Sequence, residues 1–153
     1  NSADLGVAIG RYPEDAYDGV NRHGGNPWYL TTYAMGEYYY RLAGAFEKAG
    51  NITVTPRSLD VLKNAVSEEL GRQLWSGRKI NKGSALFDSL VSEIISHGDG
   101  FVDRANFHRR RDGVLDEQSD SRSGDSRGAT SLTWSYVAFS RAYQAREELD
   151  LNP

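Results

Sequence analysis

The feature that most limits how this chain can fold is a run of apolar side chains spaced three and four apart: Phe87, Leu90, Val91, Ile94, Ile95, Phe101, Val102 and Ala105. At about 3.6 residues per turn they share one face, so the spacing predicts an amphipathic helix over 84–107. Gly98 and Gly100 inside it cost roughly 1 kcal/mol each relative to alanine and mark a place where it can kink. Such a helix needs apolar partners, and the sequence supplies them as further helices. Asn26-Pro27 reads as an N-cap followed by proline at the first helical position, predicting a helix from 27 to about 48 that stops at Gly50. Its apolar and aromatic residues (Trp28, Leu30, Tyr33, Met35, Tyr38, Tyr40, Leu42, Phe46) cover most faces, which predicts packing on more than one side. Thr55-Pro56 repeats the cap-then-proline signal and predicts a short helix to about Leu70. Ser131 reads as the cap of a last helix ending near Leu149, with Leu132, Tyr136, Phe139 and Tyr143 on its core stripe. No segment alternates with period two, so no strand is predicted. The reading is all-α: about four helices joined by long loops, in one unit over 1–153.

Composition narrows the partners. A chain of 153 residues fits one ordinary domain. Its 18 basic and 21 acidic residues nearly balance, at a net charge of −3. That gives no electrostatic reason to expect nucleic acid or an anionic membrane surface. No apolar run approaches membrane-spanning length, and no signal pattern opens the chain. Cysteine is absent and the three histidines (His23, His97, His108) are scattered, so neither a metal nor a cofactor is expected. The first residue is Asn1, not Met, which reads as a processed, excised or nicked product. Asn51-Ile52-Thr53 fits the N-glycosylation acceptor pattern in a surface turn and points to a secretory route.

The chemistry concentrates in two long loops, 1–25 and 109–130. Unstructured connections beyond about 12–15 residues are usually functional or disordered. Glu117 lies in the second loop beside Asp116. An inverting glycosidase needs two carboxyl groups about 6.5–9.5 Å apart, one to protonate the leaving oxygen and one to take a proton from the attacking water. Glu117 suits the second role, although a glutamate in a polar loop, taken alone, is far more often a solvated surface carboxylate. Asp116 reads as a local hydrogen-bonding residue. Arg11 offers a rigid fork of donors for sugar hydroxyls, or for Glu14 or Asp15 to brace the turn at Pro13. Trp28 and Trp134 fall in the first turns of predicted helices. Trp134 stands about 160–200° of helical rotation from the Leu132–Tyr136–Phe139 stripe. It is either a platform for a sugar ring or a core residue under the loop. Nine Tyr, five Phe and three Trp, several of them among polar and glycine residues, suit the C–H faces of sugars. The His108-Arg109-Arg110-Arg111 run reads as a solvated helix end favoured by the dipole, and Tyr38-Tyr39-Tyr40 as helix packing.

Five blocks in order carry a further signal: Gly6-Val7-Ala8-Ile9-Gly10-Arg11-Tyr12-Pro13-Glu14-Asp15 with Tyr17; Gly25-Asn26-Pro27-Trp28-Tyr29-Leu30; Gly98-Asp99-Gly100-Phe101; Asp116-Glu117-Gln118; and Ser131-Leu132-Thr133-Trp134-Ser135-Tyr136. Together they resemble the fungal and yeast glucoamylases, the inverting exo-acting glycoside hydrolases of family 15. The resemblance runs over essentially the whole chain and corresponds to the C-terminal part of the family's catalytic domain. It implies part of an (α/α)6 barrel, with six inner helices ringed by six outer ones and a pocket at one end. By resemblance Glu117 matches the general base. Arg11 matches the arginine that binds sugar at the cleavage point, with Tyr12 and Asp15 holding it. Tyr17, Trp28 and Trp134 match aromatics lining the pocket. The implied substrates are starch, glycogen and maltooligosaccharides, cut from the non-reducing end to β-glucose without a cofactor, by an extracellular enzyme. The family's general acid lies in sequence before this chain, so the implied partner is the N-terminal remainder of the same domain. Two departures stand out: the insertion Val20-Asn21-Arg22-His23-Gly24 before Trp28, and the lack of cysteine. The alternative is a non-catalytic, glucoamylase-like module that binds glycan or regulates a larger protein.

Overall fold

A computed structural model of the chain describes residues 5–21 and 24–151. Arg22 and His23, within the insertion read from the sequence, lie outside the described residues. The elements in order are α1 (Tyr29–Ala49), β1 (Asn51–Thr53), α2 (Leu59–Asn64), α3 (Glu68–Gly71), β2 (Lys79–Asn81), α4 (Ala85–His108), β3 (Gln118–Ser119), β4 (Ser126–Arg127) and α5 (Thr133–Leu151).

α1 is the centre of the assembly. It packs along both α4 and α5, as its all-round apolar surface requires. One apolar cluster joins the C-terminal half of α1 to α4, α2 and the β1–β2 ribbon through Ile52, Leu62, Phe87, Leu90 and Ile94. A second joins α1 to α4 and α5 through Tyr33, Tyr40, Val102, Ala138 and Ala142. Fully burying one large apolar side chain contributes about 1.5–3 kcal/mol. These lines of residues therefore fix how the helices face one another. α1 ends at Gly50 in a left-handed conformation (φ 68°), its N–H reaching Phe46 O at 3.0 Å.

The two glycines inside α4 allow close approach. A Cβ on Gly98 would stand 2.8 Å from Tyr40 Cε1, and one on Gly36 of α1 would stand 2.7 Å from Val102 Cγ2. The α1–α4 crossing is thus built on small residues from both helices. Gly100 meets the N-terminal segment: Gly6 N–H donates to Gly100 O at 3.1 Å, leaving no room for a side chain on Gly6.

Several expectations are corrected. Among the described residues five helices form, because the segment after Thr55 breaks at 65–67 into α2 and α3. Two antiparallel ribbons, β1–β2 and β3–β4, exist where no strand was predicted; at two or three residues each they are too short to show alternation. Asn26 does not cap α1, which begins at Tyr29 after Trp28, because the Asn26 side chain is committed elsewhere. Thr55 does not start α2 directly. It exchanges hydrogen bonds with Ser58 in a turn that precedes the helix. Ser131 lies two residues before α5 with φ 56°, its N–H donating to Asp116 Oδ1. The buried line of α5 is Ser135, Ala138, Ala142 and Ala145, while Tyr136 and Tyr143 are exposed. Small residues let α5 lie close on α1, and the aromatics flank that seam. The acceptor pattern Asn51–Thr53 forms strand β1, not a turn. Tyr39 and Tyr40 are buried as packing residues, but Tyr38 is exposed, its ring edge-on to Tyr39.

Candidate active site

α1 and α5 start at the same end of the bundle, and residues 115–119 thread between those starts. Glu117 N–H donates to Ala129 O at 2.9 Å, and Glu117 O accepts from Tyr29 N–H at 3.3 Å. Ser119 N–H donates to Pro27 O at 3.0 Å, and Gln118 bridges Trp28. The backbone from Glu117 to Ser119 is therefore tied to the start of α1, and the backbone before it to the approach to α5, where Leu132 N–H donates to Leu115 O. Glu117 is only 8% exposed, and its Oε2 has no hydrogen-bond partner in the protein. Gly128 forms the wall beside it. With φ 75° it favours glycine, and a Cβ there would lie 3.0 Å from Glu117 Cβ and closer still to Oε2. The solvated-loop reading of Glu117 is thus set aside: this carboxylate is enclosed.

Arg11 forks onto Asp15, with both bonds 2.7 Å, and Asp15 also accepts from Tyr17 N–H at 3.1 Å. The Arg11 hydrogen bond holds the Asp15 carboxyl below its ordinary range against the opposing effect of desolvation, and Asp15 in turn raises the guanidinium. Of the two partners weighed for Arg11, it is Asp15 that braces it. The guanidinium then lies over the Trp28 ring, 4.5 Å from its centroid, with Tyr17 at 5.4 Å and Tyr12 at 5.3 Å. Trp28 is a buried floor. Its ring centroid is 6.4 Å from that of Tyr17 and 5.9 Å from that of Trp134. Trp134 is 45% exposed, so it is not a core residue, and one side of this aromatic floor faces outward. Tyr12 is exposed as well. Burial pushes the Tyr17 phenol upward, and the neighbouring Glu117 charge adds to the effect. The same Glu117 charge also acts on Arg11. Arg11, Tyr12, Asp15, Tyr17, Trp28, Glu117 and Trp134 therefore form one constellation. It consists of an enclosed carboxylate with an uncommitted oxygen, a braced guanidinium and an aromatic floor.

Asp116 works for the loop: Oδ1 accepts from Ser131 N–H at 3.0 Å and its carbonyl from Ser135 Oγ–H at 2.8 Å. Arg110 within the basic run pairs with Asp112 at 2.7 Å. A hollow of about 700 Å³ between α1 and α5, lined by Tyr40, Arg41, Lys82 and Glu148 among others, lies at the opposite end of the helices from Glu117. Among the described residues no three His, Cys, Asp or Glu side chains are grouped to hold a metal, and no helix is long and apolar enough to cross a membrane. The sequence reading missed the buried polar knot of Asn26, Gln118 and Asp18 behind Glu117, which the half-buried Arg127 joins through Asp18. The only local signal was an asparagine amid a long loop, and it reads just as well as a helix cap.

Residues 1–144 match the profile of the glycosyl hydrolases family 15. The chain is 43% identical over 145 residues to a glucoamylase of Blastobotrys adeninivorans, covering 95% of this chain and 23% of that protein. It is 34% identical over 151 residues to an intracellular, sporulation-specific glucoamylase of Saccharomyces cerevisiae, covering 94% of this chain and 27% of that one. The structure superimposes on a Saccharomycopsis fibuligera glucoamylase with a TM-score of 0.88 at 32% identity, over 99% of this chain and 32% of the other. On the family 15 glucoamylase of Hypocrea jecorina the TM-score is 0.81 at 34% identity, over 97% and 23%. The helices thus have the arrangement found within an α/α toroid. The chain spans roughly a quarter of the length of the curated relatives it matches, from 20% to 30%.

Proposed function

Because the chain belongs to the glycosyl hydrolases family 15, we propose that it carries the water-activating side of an inverting, exo-acting α-glucan hydrolase. The substrate is starch, glycogen or a maltooligosaccharide, entered from its non-reducing end, and the product is β-glucose. Glu117 is the general base. It takes a proton from water as the water oxygen attacks the anomeric carbon, while the glycosidic oxygen leaves from the opposite face with a proton from a general acid. That acid lies in sequence outside this chain, so the N-terminal remainder of the catalytic domain is its obligate partner.

The observation that carries this reading is the enclosed Glu117 carboxylate, set beside Arg11 and Tyr17, with an Oε2 that no protein group bonds and that bulk solvent does not reach. An oxygen already bonded to a protein donor is a poor acceptor for a water proton. Arg11, fixed by Asp15, presents cationic donors to sugar hydroxyls beside that carboxylate. Tyr12 and Tyr17 flank the guanidinium, and Trp28 and Trp134 give the ring a face to stack on. No cofactor is needed for such a hydrolysis.

Replacing Glu117 by Gln in the complete protein tests the proposal. Glucose release from maltotriose should fall by about 10²–10⁴-fold while maltotriose binding persists. Near-normal turnover would overturn it; the binding-module alternative instead predicts no glucose release even by the parent and unchanged glycan binding in the variant. We also place the protein in the secretory route, where Asn51 is an acceptor for an N-glycan. Peptide mass spectrometry of secreted protein checks this, and an unmodified Asn51 peptide in every sample would contradict it.

A further inference from the structure

We infer that Asn26 is a positioning residue for Glu117, acting through Gln118 to lock together the two long loops that carry the site. This rests on the proposed role of Glu117. Asn26 is buried, and its side chain bonds to three separate points: Nδ2 donates to Asp18 O at 3.0 Å and to Gln118 Oε1 at 3.1 Å, while Oδ1 accepts from Ser121 N–H at 3.1 Å. One partner lies in the loop that bears Arg11, and two lie in the loop that bears Glu117. Gln118 is 0% exposed and directly follows Glu117, so whatever holds Gln118 limits where the carboxylate can stand. The same pair of loops is joined a second time by Asp18 and Arg127 at 3.5 Å. Asp18 in turn shapes its own loop by accepting from Val20 N–H at 3.0 Å and Asn21 N–H at 2.6 Å.

This placement separates Asn26 from the residues that merely hold the bundle together. It belongs to neither apolar cluster, and none of its three partners lies in a helix. Losing it would leave Asp18 O, Gln118 Oε1 and Ser121 N–H without their shared partner while the α1–α4 and α1–α5 seams stay intact. The cost therefore falls on the alignment of the carboxylate with its water. Arg11 keeps Asp15, and Trp134 keeps its place on α5, so hold on the sugar should change little.

The experiment compares Asn26→Ala, Gln118→Met and the double variant in the complete enzyme, with maltotriose as substrate, measuring kcat, KM and Tm. Each single variant should lower kcat by about ten- to a hundredfold, the range expected when a reacting group is misplaced by about an ångström. KM should stay within about threefold, which separates a loss at the reacting centre from a loss of binding. If both residues act through one bond, the double variant should be no slower than the slower single by more than about threefold. Unchanged kcat in the singles, or a double loss equal to the product of the two, overturns the inference. So does a kcat loss that tracks the unfolded fraction. Should Asn26→Ala fail to fold, Gln118→Met, which keeps volume but removes the acceptor, decides by the same kcat and KM criteria. Glu117→Gln is run alongside. If it remains active, the proposed function fails. If it is inactive while Asn26→Ala and Gln118→Met turn over normally, only this inference fails.

Discussion

Two glycines in the interior of helices should respond to the same substitution with opposite signs. Gly→Ala in a helix interior stabilises by about 1 kcal/mol through backbone entropy. At Gly44 of α1 the new methyl would meet only Leu149 Cδ2, at 3.2 Å, the end of a flexible side chain. Gly44→Ala should therefore keep most of that gain. At Gly98 of α4 the methyl would stand 2.8 Å from Tyr40 Cε1, 3.1 Å from Tyr40 Cδ1 and 3.2 Å from Tyr39 Cβ. Tyr40 cannot swing away, because its hydroxyl donates to Asp99 Oδ1 at 2.7 Å and its ring is buried between helices. Overpacking of this kind costs about 1–3 kcal/mol, so the net effect at Gly98 is a loss of up to about 2 kcal/mol. Thermal unfolding reads the difference. Gly44→Ala should raise Tm and Gly98→Ala should lower it, by about 2–4 °C per kcal/mol for a domain of this size and less in a larger one. If Gly98→Ala raised Tm as much as Gly44→Ala, the close approach of α4 to α1 would be refuted.

Three further outcomes are expected. The purified 153-residue chain alone should release no measurable glucose from starch, since the base without the acid forfeits about 10²–10⁴-fold; robust release in a glucose-oxidase assay would contradict the division of roles. Trp134→Ala in the complete enzyme should raise KM for maltotriose by about tenfold through lost stacking, about 1–1.5 kcal/mol, with a smaller effect on kcat. Glu37 on α1 is held below its ordinary value of 4.5 chiefly by hydrogen bonds from Arg141 on α5, with Arg41 adding to the effect. A carboxylate with a depressed folded pKa contributes stability that is fully present above 4.5 and lost as pH falls through the folded value. Glu37→Gln should therefore flatten the decline of Tm below pH 4.5, and an unchanged acid slope would show that this link between α1 and α5 contributes nothing.

What the sequence made legible follows from how far each signal reaches along the chain. The helix expected over 84–107 appears as Ala85–His108 because its pattern is long, regular and local. α5 was found, but with its core line turned to one side: of the expected stripe Phe139 packs against the buried cluster, while Tyr136 and Tyr143 are exposed. Its burial rests on Ser135, Ala138, Ala142 and Ala145, whose small size serves close packing and does not register as a hydrophobic stripe. The ribbons were invisible because two or three residues cannot display a period. Within the site, residue type and spacing left Glu117, Arg11 and Trp134 each with two readings, and the family resemblance gave these and Trp28 their roles. Their convergence required tertiary structure, since Glu117 is enclosed by Gly128, Tyr17 and the start of α1. Asn26 was misread for the same reason. Two of its partners are 92 and 95 residues away, so a side chain that looks like a cap is consumed by a loop it cannot be seen to meet.

The assignment of Glu117 as the base is tested most directly by chemical rescue. In the complete enzyme, Glu117→Ala should be about 10²–10⁴-fold slower than the parent on α-glucosyl fluoride. Sodium azide, a nucleophile that needs no base, should restore turnover and give β-glucosyl azide. An inactive variant that azide fails to rescue, or an α-configured product, would contradict the account.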